Sequence, residues 1–219
     1  MPRILVVNPN SSQPITRELD ESLHQIRSLT NVTIDTTSIA ACPAGIETQA
    51  DIEFASLRFA ELVRDSDYDA YVTACFSDPG LYLAREFTDK PVVGIAESAY
   101  RYALNLGQKF GVISILDQSI PRHLRAIRSH GLMDFCANDR AINVHMADLD
   151  GDHVIDLIVK VGTQLRDIDG AHSVILGCAG MAKYRGPAEE RLGIPVIDPT
   201  QAAVTRVIGM LMLCHSQTA

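Results

Sequence analysis

The sequence has little of what binds nucleic acid, enters a membrane or holds a metal. It contains no cluster of lysine and arginine, and its formal net charge is −8; nucleic-acid binding depends on such clusters. The opening segment, residues 3–12, has only a short apolar run before an Asn-Pro turn, which is too short for a secretory signal or a membrane span. We therefore expect a cytoplasmic protein that acts on a small molecule and binds neither nucleic acid nor membrane.

The cysteines lack the spacing of a metal or redox site. They are Cys42, Cys75, Cys136, Cys178 and Cys214. No two form a CxxC pair and no histidine lies near them at ligand spacing, so we expect no metal and no cofactor. In a reducing cytosol each thiol is either a small buried hydrophobe or a reactive group. We assign Cys136 and Cys214 to packing, whereas Cys42 fits either role.

Short apolar runs alternate with amphipathic stretches along the chain, which predicts an α/β fold with parallel sheets. The predicted strands are Arg3–Val7, Val32–Thr36, Ala70–Thr73, Val92–Ile95, Lys109–Ile113, Ala141–Val144, Ser173–Leu176 and Val196–Ile197. The predicted helices are Pro14–Ser28, Gln49–Asp65, Gly80–Phe87, Ser98–Leu106, Gln118–His130, Asp152–Asp167, Pro187–Leu192 and Thr200–His215. The hydrophobic fraction of 47% is that of an ordinary globular protein without disordered segments.

The second half of the chain repeats the first. RILVVNPNSS resembles KFGVISILDQS, DAYVTACFSDPG resembles HSVILGCAGMA, and KPVVGIAESA resembles GIPVIDPTQAA. All three matches occur in the same order at an offset of about one hundred residues, which indicates duplication of an α/β half. We therefore predict two similar lobes of the Rossmann or flavodoxin-like type, related by a pseudo-two-fold axis, with the active site in the cleft between them.

Cys75 and Cys178 occupy equivalent positions in this repeat, each at the carboxyl end of a strand. A single strand-end cysteine is usually inert packing, but random packing gives no reason for equivalent thiols in both halves. Two thiols on opposite faces of a carbon can invert it, since one removes a proton and the other delivers one. An ordinary thiol pKa of roughly 8.5 lies close enough to neutrality for one thiol to be ionised and the other protonated.

The residues around the two cysteines fit this chemistry. Small residues from Gly177 to Gly180 let substrate approach backbone N–H groups that can hold an oxyanion. Cys75 begins a comparable turn, in which Asp78 before Pro79 is a natural turn former. We expect a helix to start after this turn, whose dipole would favour the thiolate of Cys75.

Four segments together resemble the hydantoin and allantoin racemase branch of the aspartate/glutamate racemase superfamily. They are VNPNSS at 7–12, TACFSDPGL at 73–81, PVVGIAESA at 91–99 and LGCAGMA at 176–182. The resemblance implies cofactor-independent racemisation of a 5-substituted hydantoin or allantoin, with Cys75 and Cys178 as the two bases. It also implies lobes at 1–97 and 98–199, a C-terminal helix at 200–219 that packs on the first lobe, and a homo-oligomer.

Carried over by position, the resemblance also implies substrate contacts. The backbone of Phe76, Ser77, Ala179 and Gly180 would bind the carbonyl oxygens, and Asn10 would hold the ring. Asn10 fits a turn or helix-cap role equally well. The substrate-binding candidates are Asn10, Phe76, Ser77, Ala179, Gly180, Ser114, Pro43 and Ile46.

Three of these positions need a separate argument. Because the two halves repeat, Ser114 ends the strand equivalent to the first strand, and we expect it to face the same cleft. Pro43 and Ile46 belong to the loop at 42–48, where related racemases often carry Gly-Pro and an Ile-Glu pair. Cys42 departs from that pattern, and Ser77 stands where glycine is frequent; both changes bear on which substrate fits.

Other functions and other residues stay open. An aspartate- or glutamate-type racemase is the nearest alternative, followed by a decarboxylase and a non-catalytic small-molecule binding protein. The apolar or small residues after each cysteine suit a less charged ring better than a free amino acid.

The histidines carry no catalytic assignment; we expect those on amphipathic stretches, namely His24, His123, His130 and His153, to be solvated.

Overall fold

The computed structural model of the protein describes residues 1–151 and 153–214. The chain divides into two compact units, one formed by Met1–Ile95 with Thr200–Ala219 and the other by Ala96–Pro199. Asp152, where one predicted helix begins, and residues 215–219, where the predicted C-terminal helix ends, lie outside the described residues, as does the side chain of Cys214.

The first unit is built around a parallel sheet of four strands in the order β2-β1-β3-β4. The strands are β1 Arg3–Asn8, β2 Thr33–Ser38, β3 Ala70–Thr73 and β4 Val92–Gly94. The helices are α1 Gln13–Ser22, α2 His24–Ser28, α3 Gln49–Asp65 and α4 Leu81–Phe87, with α9 Pro199–Cys214 at the end of the chain. The central strands β1 and β3 are buried almost throughout, as expected of parallel strands covered on both faces.

Helix α3 shows how the sequence forms these elements. Thr48 and Asp51 form a capping box, in which each side chain accepts a hydrogen bond from the other residue's backbone N–H. The buried residues recur at helical spacing: Ile52, Ala55, Phe59, Ala60 and Val63. This stripe packs in the core cluster that also contains residues of β1 and β3.

The second unit has the same architecture. Its four parallel strands lie in the order β6-β5-β7-β8. They are β5 Phe110–Ser114, β6 Cys136–Ala141, β7 Ser173–Leu176 and β8 Val196–Ile197. The helices are α6 Ile120–Ser129, α7 Val154–Asp167 and α8 Arg185–Leu192, and α5 Ile95–Ala103 contains the boundary between the units.

The two strand orders are identical once β1 to β4 are matched with β5 to β8. The predicted α/β fold with two similar parallel-sheet lobes is therefore confirmed. In each sheet the chain passes from its first strand, β1 or β5, to the edge strand on one side and then to the strand on the other side. A topological switch point therefore lies between β1 and β3 in the first sheet and between β5 and β7 in the second. Ligands of open α/β sheets bind outside the carboxyl ends of the strands at such points.

One strand lies elsewhere than predicted. The apolar run Ala141–Val144 was expected to form a strand, but β6 is the polar segment Cys136–Ala141. As an edge strand it has half-buried Asn138 and Arg140 on one face, where both bond to Asp169, while Asp139 points to the buried face. Ile142 and Val144 bury their side chains in the following loop, because their backbone N–H groups bond to the end of β5.

Candidate active site

Cys75 lies just beyond the carboxyl end of β3. Ala74, the residue before it, donates its N–H to the carbonyl oxygen of Val7 at 2.8 Å, which extends the pairing of β3 with β1. The carbonyl oxygen of Cys75 accepts from the N–H of Asp78 at 2.9 Å and closes a four-residue turn. The half-buried cysteine packs against the apolar core of the first unit.

Cys178 lies just beyond the carboxyl end of β7 in a matching arrangement. Gly177, the residue before it, donates its N–H to the carbonyl oxygen of Ile113 at 2.8 Å. The carbonyl oxygen of Cys178 accepts from the N–H of Met181 at 3.2 Å. The cysteine is buried and packs in the core cluster of the second unit.

These bonds place the two cysteines at equivalent positions of the repeat. Val7 pairs with the last residue of β3 and Ile113 with the last residue of β7, so each cysteine follows its strand by the same number of residues. Each then opens a turn closed by its own carbonyl oxygen. Both cysteines therefore stand at the switch point of their sheet, where a ligand is expected.

The backbone candidates are the central residues of these two turns. Phe76 and Ser77 follow Cys75, and Ala179 and Gly180 follow Cys178. A turn of this kind uses the N–H of its fourth residue in its own hydrogen bond. Ala179 and Gly180 are also the first residues of a 3₁₀ helix, Ala179–Tyr184, and the first N–H groups of a helix have no acceptor within it.

The helix that follows Cys75 begins one residue after the predicted Gly80. Gly80, with φ of 72°, precedes α4, which starts at Leu81, so the rest of the turn separates the helix from the thiol. The effect of a helix dipole falls off within its first turn, and the dipole stabilisation of the Cys75 thiolate stays a prediction. Cys178 is the residue that caps a helical segment directly, since Ala179–Tyr184 runs on into α8.

Asp78 forms the turn predicted for it. Its backbone adopts a φ of 45°, which is unusual for a residue other than glycine. The carboxylate occupies the space beside Gly94 at the end of β4, where a Cβ atom on Gly94 would lie 2.1 Å from the carboxyl carbon of Asp78. This contact fixes the turn after Cys75 against the neighbouring strand.

Asn10 is buried and held by a network that sequence reasoning missed. Asn8, the last residue of β1, donates from Nδ2 to Oδ1 of Asn10 at 2.8 Å and to Oγ1 of Thr16 on α1 at 3.0 Å. The N–H of Ser12 donates to the same oxygen of Asn10 at 2.8 Å. The side-chain oxygen of Asn10 therefore has the turn role. The sequence did contain a signal for the role of Asn8, because it is a polar residue at the end of an apolar strand.

The loop at 42–48 divides into an exposed and a buried part. Pro43 is exposed, but its carbonyl oxygen accepts from the N–H of Ser11 at 3.1 Å, which ties the loop to the turn around Asn10. Ile46 and Cys42 are buried in the same cluster that Cys75 packs against. Burial raises the pKa of the Cys42 thiol, so this cysteine stays neutral at physiological pH.

The hydroxyl of Ser114 is engaged in a buried hydrogen-bond network within the second unit. It is fully buried and donates to Oδ1 of Asp139 at 2.5 Å, and its Oγ lies 2.9 Å from Nδ1 of His123. The same nitrogen lies 2.9 Å from Oδ2 of Asp139. The prediction that His123 is solvated is therefore wrong, because the imidazole is buried against a carboxylate.

Cys136 is the first residue of β6 and pairs with Phe110 at the start of β5, the end of the sheet opposite to Cys178. Burial, together with the negative charge of Asp139, raises the pKa of the Cys136 thiol to about 12. Among residues 1–151 and 153–214, no group of three or more His, Cys, Asp and Glu side chains is placed to hold a metal ion. In the same part of the chain, no helix combines the length and apolarity needed to cross a bilayer.

Comparison with known proteins assigns the chain to a family. A family model described as Asp/Glu/Hydantoin racemase matches residues 4–207. A hydantoin racemase from Paenarthrobacter aurescens is 36% identical over 224 residues, which cover 99% of this chain and 94% of the relative.

Two solved structures agree with this assignment. An allantoin racemase from Klebsiella pneumoniae has a TM-score of 0.89 at 30% identity, covering 97% of this chain and 89% of the other. An allantoin racemase from Pseudomonas fluorescens has a TM-score of 0.91 at 29% identity, covering 96% of this chain and 91% of the other. The chain therefore belongs to the Asp/Glu/hydantoin racemase family, in the branch of the hydantoin and allantoin racemases, and it is a racemase.

Proposed function

We propose that this racemase inverts the C5 stereocentre of a 5-substituted hydantoin or of allantoin, with Cys75 and Cys178 as the two acid/base groups. One thiolate removes the proton from C5 while the opposite thiol delivers a proton to the other face. The reverse reaction exchanges the two roles. This scheme requires the two thiols to lie on opposite faces of the bound ring.

The observation that carries the proposal is the matched setting of the two cysteines. Both follow a central strand by the same number of residues, both are preceded by a residue bonded to the neighbouring strand at 2.8 Å, and both open a turn closed by their own carbonyl oxygen. Racemisation treats the two enantiomers alike, so it needs a similar base for each face. A duplicated unit with one thiol in each copy supplies such a pair.

The turns after the cysteines supply the groups that would stabilise the intermediate. Removal of the C5 proton places negative charge on a ring carbonyl oxygen, and backbone N–H groups aimed at that oxygen lower the barrier. Ala179 and Gly180 begin a helical segment, so their N–H groups point outward from its positive end. Phe76 and Ser77 occupy the corresponding places after Cys75.

The remaining candidates would select the substrate. The buried amide of Asn10 is fixed by Asn8 and Ser12, so it can hold a polar ring atom without reorganisation. The apolar side chains of Cys42 and Ile46 belong to the cluster beside Cys75, where they would contact the C5 substituent. Pro43 would shape this pocket through the bond that ties its loop to the Asn10 turn.

A free amino acid fits this site less well. Aspartate or glutamate carries a charged carboxylate and ammonium next to the reacting carbon, and each buried charge needs a partner of opposite sign. The residues that follow the two cysteines are neutral: Phe76, Ser77, Ala179 and Gly180. A cyclic diamide also has a more acidic ring proton, which a thiolate can remove more readily.

The test is a substrate panel followed by loss of optical activity. Single enantiomers of several 5-substituted hydantoins, allantoin, aspartate and glutamate are incubated with the parent protein and with Cys75→Ser, Cys178→Ser and Cys136→Ser. We expect the hydantoin-like compounds to racemise with the parent and with Cys136→Ser, and each of the other two variants to lose racemisation. Reaction of aspartate or glutamate alone would refute the substrate assignment, and parent rates in Cys75→Ser or Cys178→Ser would refute the mechanism.

A further inference from the structure

A buried network in the second unit has no part in the proposed proton transfer. It joins Ser114 at the end of β5, His123 on α6 and Asp139 on β6. All three side chains are buried, and Ser114 is completely inaccessible. A buried carboxylate is costly unless hydrogen bonds compensate its charge, and here each carboxylate oxygen has a partner within the network.

The geometry excludes a hydrolase-type triad. In such a triad the imidazole joins serine and aspartate through its two different ring nitrogens. Here the single atom Nδ1 of His123 faces both partners, and the hydroxyl of Ser114 donates directly to Asp139. The Ser114 hydroxyl is thus fixed by Asp139 and is not activated as a nucleophile.

The network contacts the segment that carries Cys178 through the main chain of Ser114. A Cβ atom on Gly177 would lie 2.8 Å from the carbonyl oxygen of Ile113 and 3.2 Å from Cα of Ser114. Gly177 also donates its N–H to that Ile113 oxygen at 2.8 Å. The main chain at Ser114 is therefore in close contact with the residue that precedes Cys178, so a shift of Ser114 shifts the position of the thiol.

The first unit anchors its central strand at the equivalent place by different chemistry. Asn8 follows Val7 as Ser114 follows Ile113, and Asn8 bonds to Thr16 on the helix after β1. That anchor is uncharged, whereas the anchor of the second unit contains a carboxylate. Each half thus holds the end of its central strand to the following helix beside its own cysteine.

We propose that Asp139, with Ser114 and His123, acts as a positioning residue for Cys178 and not for Cys75. The proposal rests on the proposed function for its catalytic consequence, but the position of the thiol can be measured without any substrate. Asp139→Asn keeps the shape of the side chain and removes its charge, so the short bond from Ser114 weakens and the end of β5 relaxes. Misplacement of a reacting group by a fraction of an ångström lowers kcat, by up to about a hundredfold for 1 Å.

The experiment compares three variants by two measurements. Asp139→Asn and Ser114→Ala perturb the network, whereas Asp169→Asn is the matched control, since Asp169 bonds to the opposite face of β6 through Arg140 and Asn138. Mass spectrometry gives the ratio of iodoacetamide alkylation rates at Cys178 and Cys75, and racemisation of the best panel substrate gives kcat and KM separately.

We expect both network variants to change the ratio of the alkylation rates of Cys178 and Cys75 severalfold. We also expect them to lower kcat by about tenfold or more, with a smaller effect on KM. Asp169→Asn should leave both measurements at the parent values. An unchanged ratio with parent kcat in both network variants would overturn the proposal, as would a rise in KM alone. If Asp139→Asn does not fold, Ser114→Ala decides. If the parent racemises no panel compound, the proposed function fails, while the alkylation ratio still decides the positioning role.

Discussion

Replacing Gly177 with alanine places a methyl group where the neighbouring strand leaves no room for it. The new Cβ would lie 2.8 Å from the carbonyl oxygen of Ile113, which is 0.6 Å short of the 3.4 Å at which ordinary contact begins. The obstacle is backbone and not the end of a flexible side chain, so the main chain before Cys178 must move. Gly177 has no left-handed φ that would add strain of its own.

The size of this displacement sets the expected effect. If 1 Å of misplacement costs up to about a hundredfold in rate, a shift near half an ångström should lower kcat about tenfold. Overpacking of this kind should also lower the free energy of unfolding by about 1–3 kcal/mol. The assays are racemisation kinetics, the alkylation ratio of Cys178 to Cys75, and urea unfolding.

Gly209→Ala is the matched control for this substitution. Gly209 is exposed in the interior of α9 and the added methyl group meets no neighbouring side chain or strand, so alanine there should raise the free energy of unfolding by about 0.5–1 kcal/mol and leave kcat unchanged. Gly177→Ala with parent kcat and a parent alkylation ratio would refute the reasoning that β5 positions Cys178.

Further predictions concern stability and thiol reactivity. Thr48→Ala removes the capping box of α3 and should lower the free energy of unfolding by about 1 kcal/mol in urea, with parent kcat. Burial would raise the pKa of Asp20, but hydrogen bonds from Thr36 and Arg27 outweigh it and lower the pKa. A carboxyl group whose pKa is lower in the folded than in the unfolded protein stabilises the fold at pH values above its unfolded pKa, and this stabilisation is lost as the pH falls through the folded pKa. The free energy of unfolding of Asp20→Asn, measured in urea, should therefore depend less on pH in the acid range than that of the parent. With a pKa of about 12, Cys136 should be alkylated at neutral pH more slowly than either proposed catalytic cysteine; its labelling ahead of both would contradict the assignment.

The sequence predicts the buried strands best. Ala70–Thr73, Ser173–Leu176 and Val196–Ile197 have the predicted bounds because buried parallel strands are short, mostly apolar runs between polar turns. The edge strand Cys136–Ala141 escaped prediction, since its polar side chains are satisfied by partners distant in sequence, such as Asp169. An apolar run such as Ala141–Val144 signals burial, and burial does not require a strand.

The repeat likewise revealed the positions of the two cysteines but not the groups that hold them. Helical spacing from Ile127 was a signal that His123 lies on the buried stripe of α6. Nothing local to Ser114 shows that its hydroxyl bonds to a carboxylate on another strand, because that contact depends on the pairing of β5 with β6. Hydrogen-bond partners of buried polar residues therefore came only from the structure.

The central claim is that separate thiols act on the two faces of the substrate. A single enantiomer of a hydantoin that the protein racemises is incubated with the protein in deuterated water, with an enzyme-free control for spontaneous exchange. Early in the reaction the two enantiomers are separated, and the deuterium content of each is measured by mass spectrometry. If Cys75 and Cys178 act as two bases, the product enantiomer carries solvent deuterium from the start, while the remaining substrate keeps its hydrogen. Equal early appearance of deuterium in both enantiomers would show that one group serves both faces and would contradict the account.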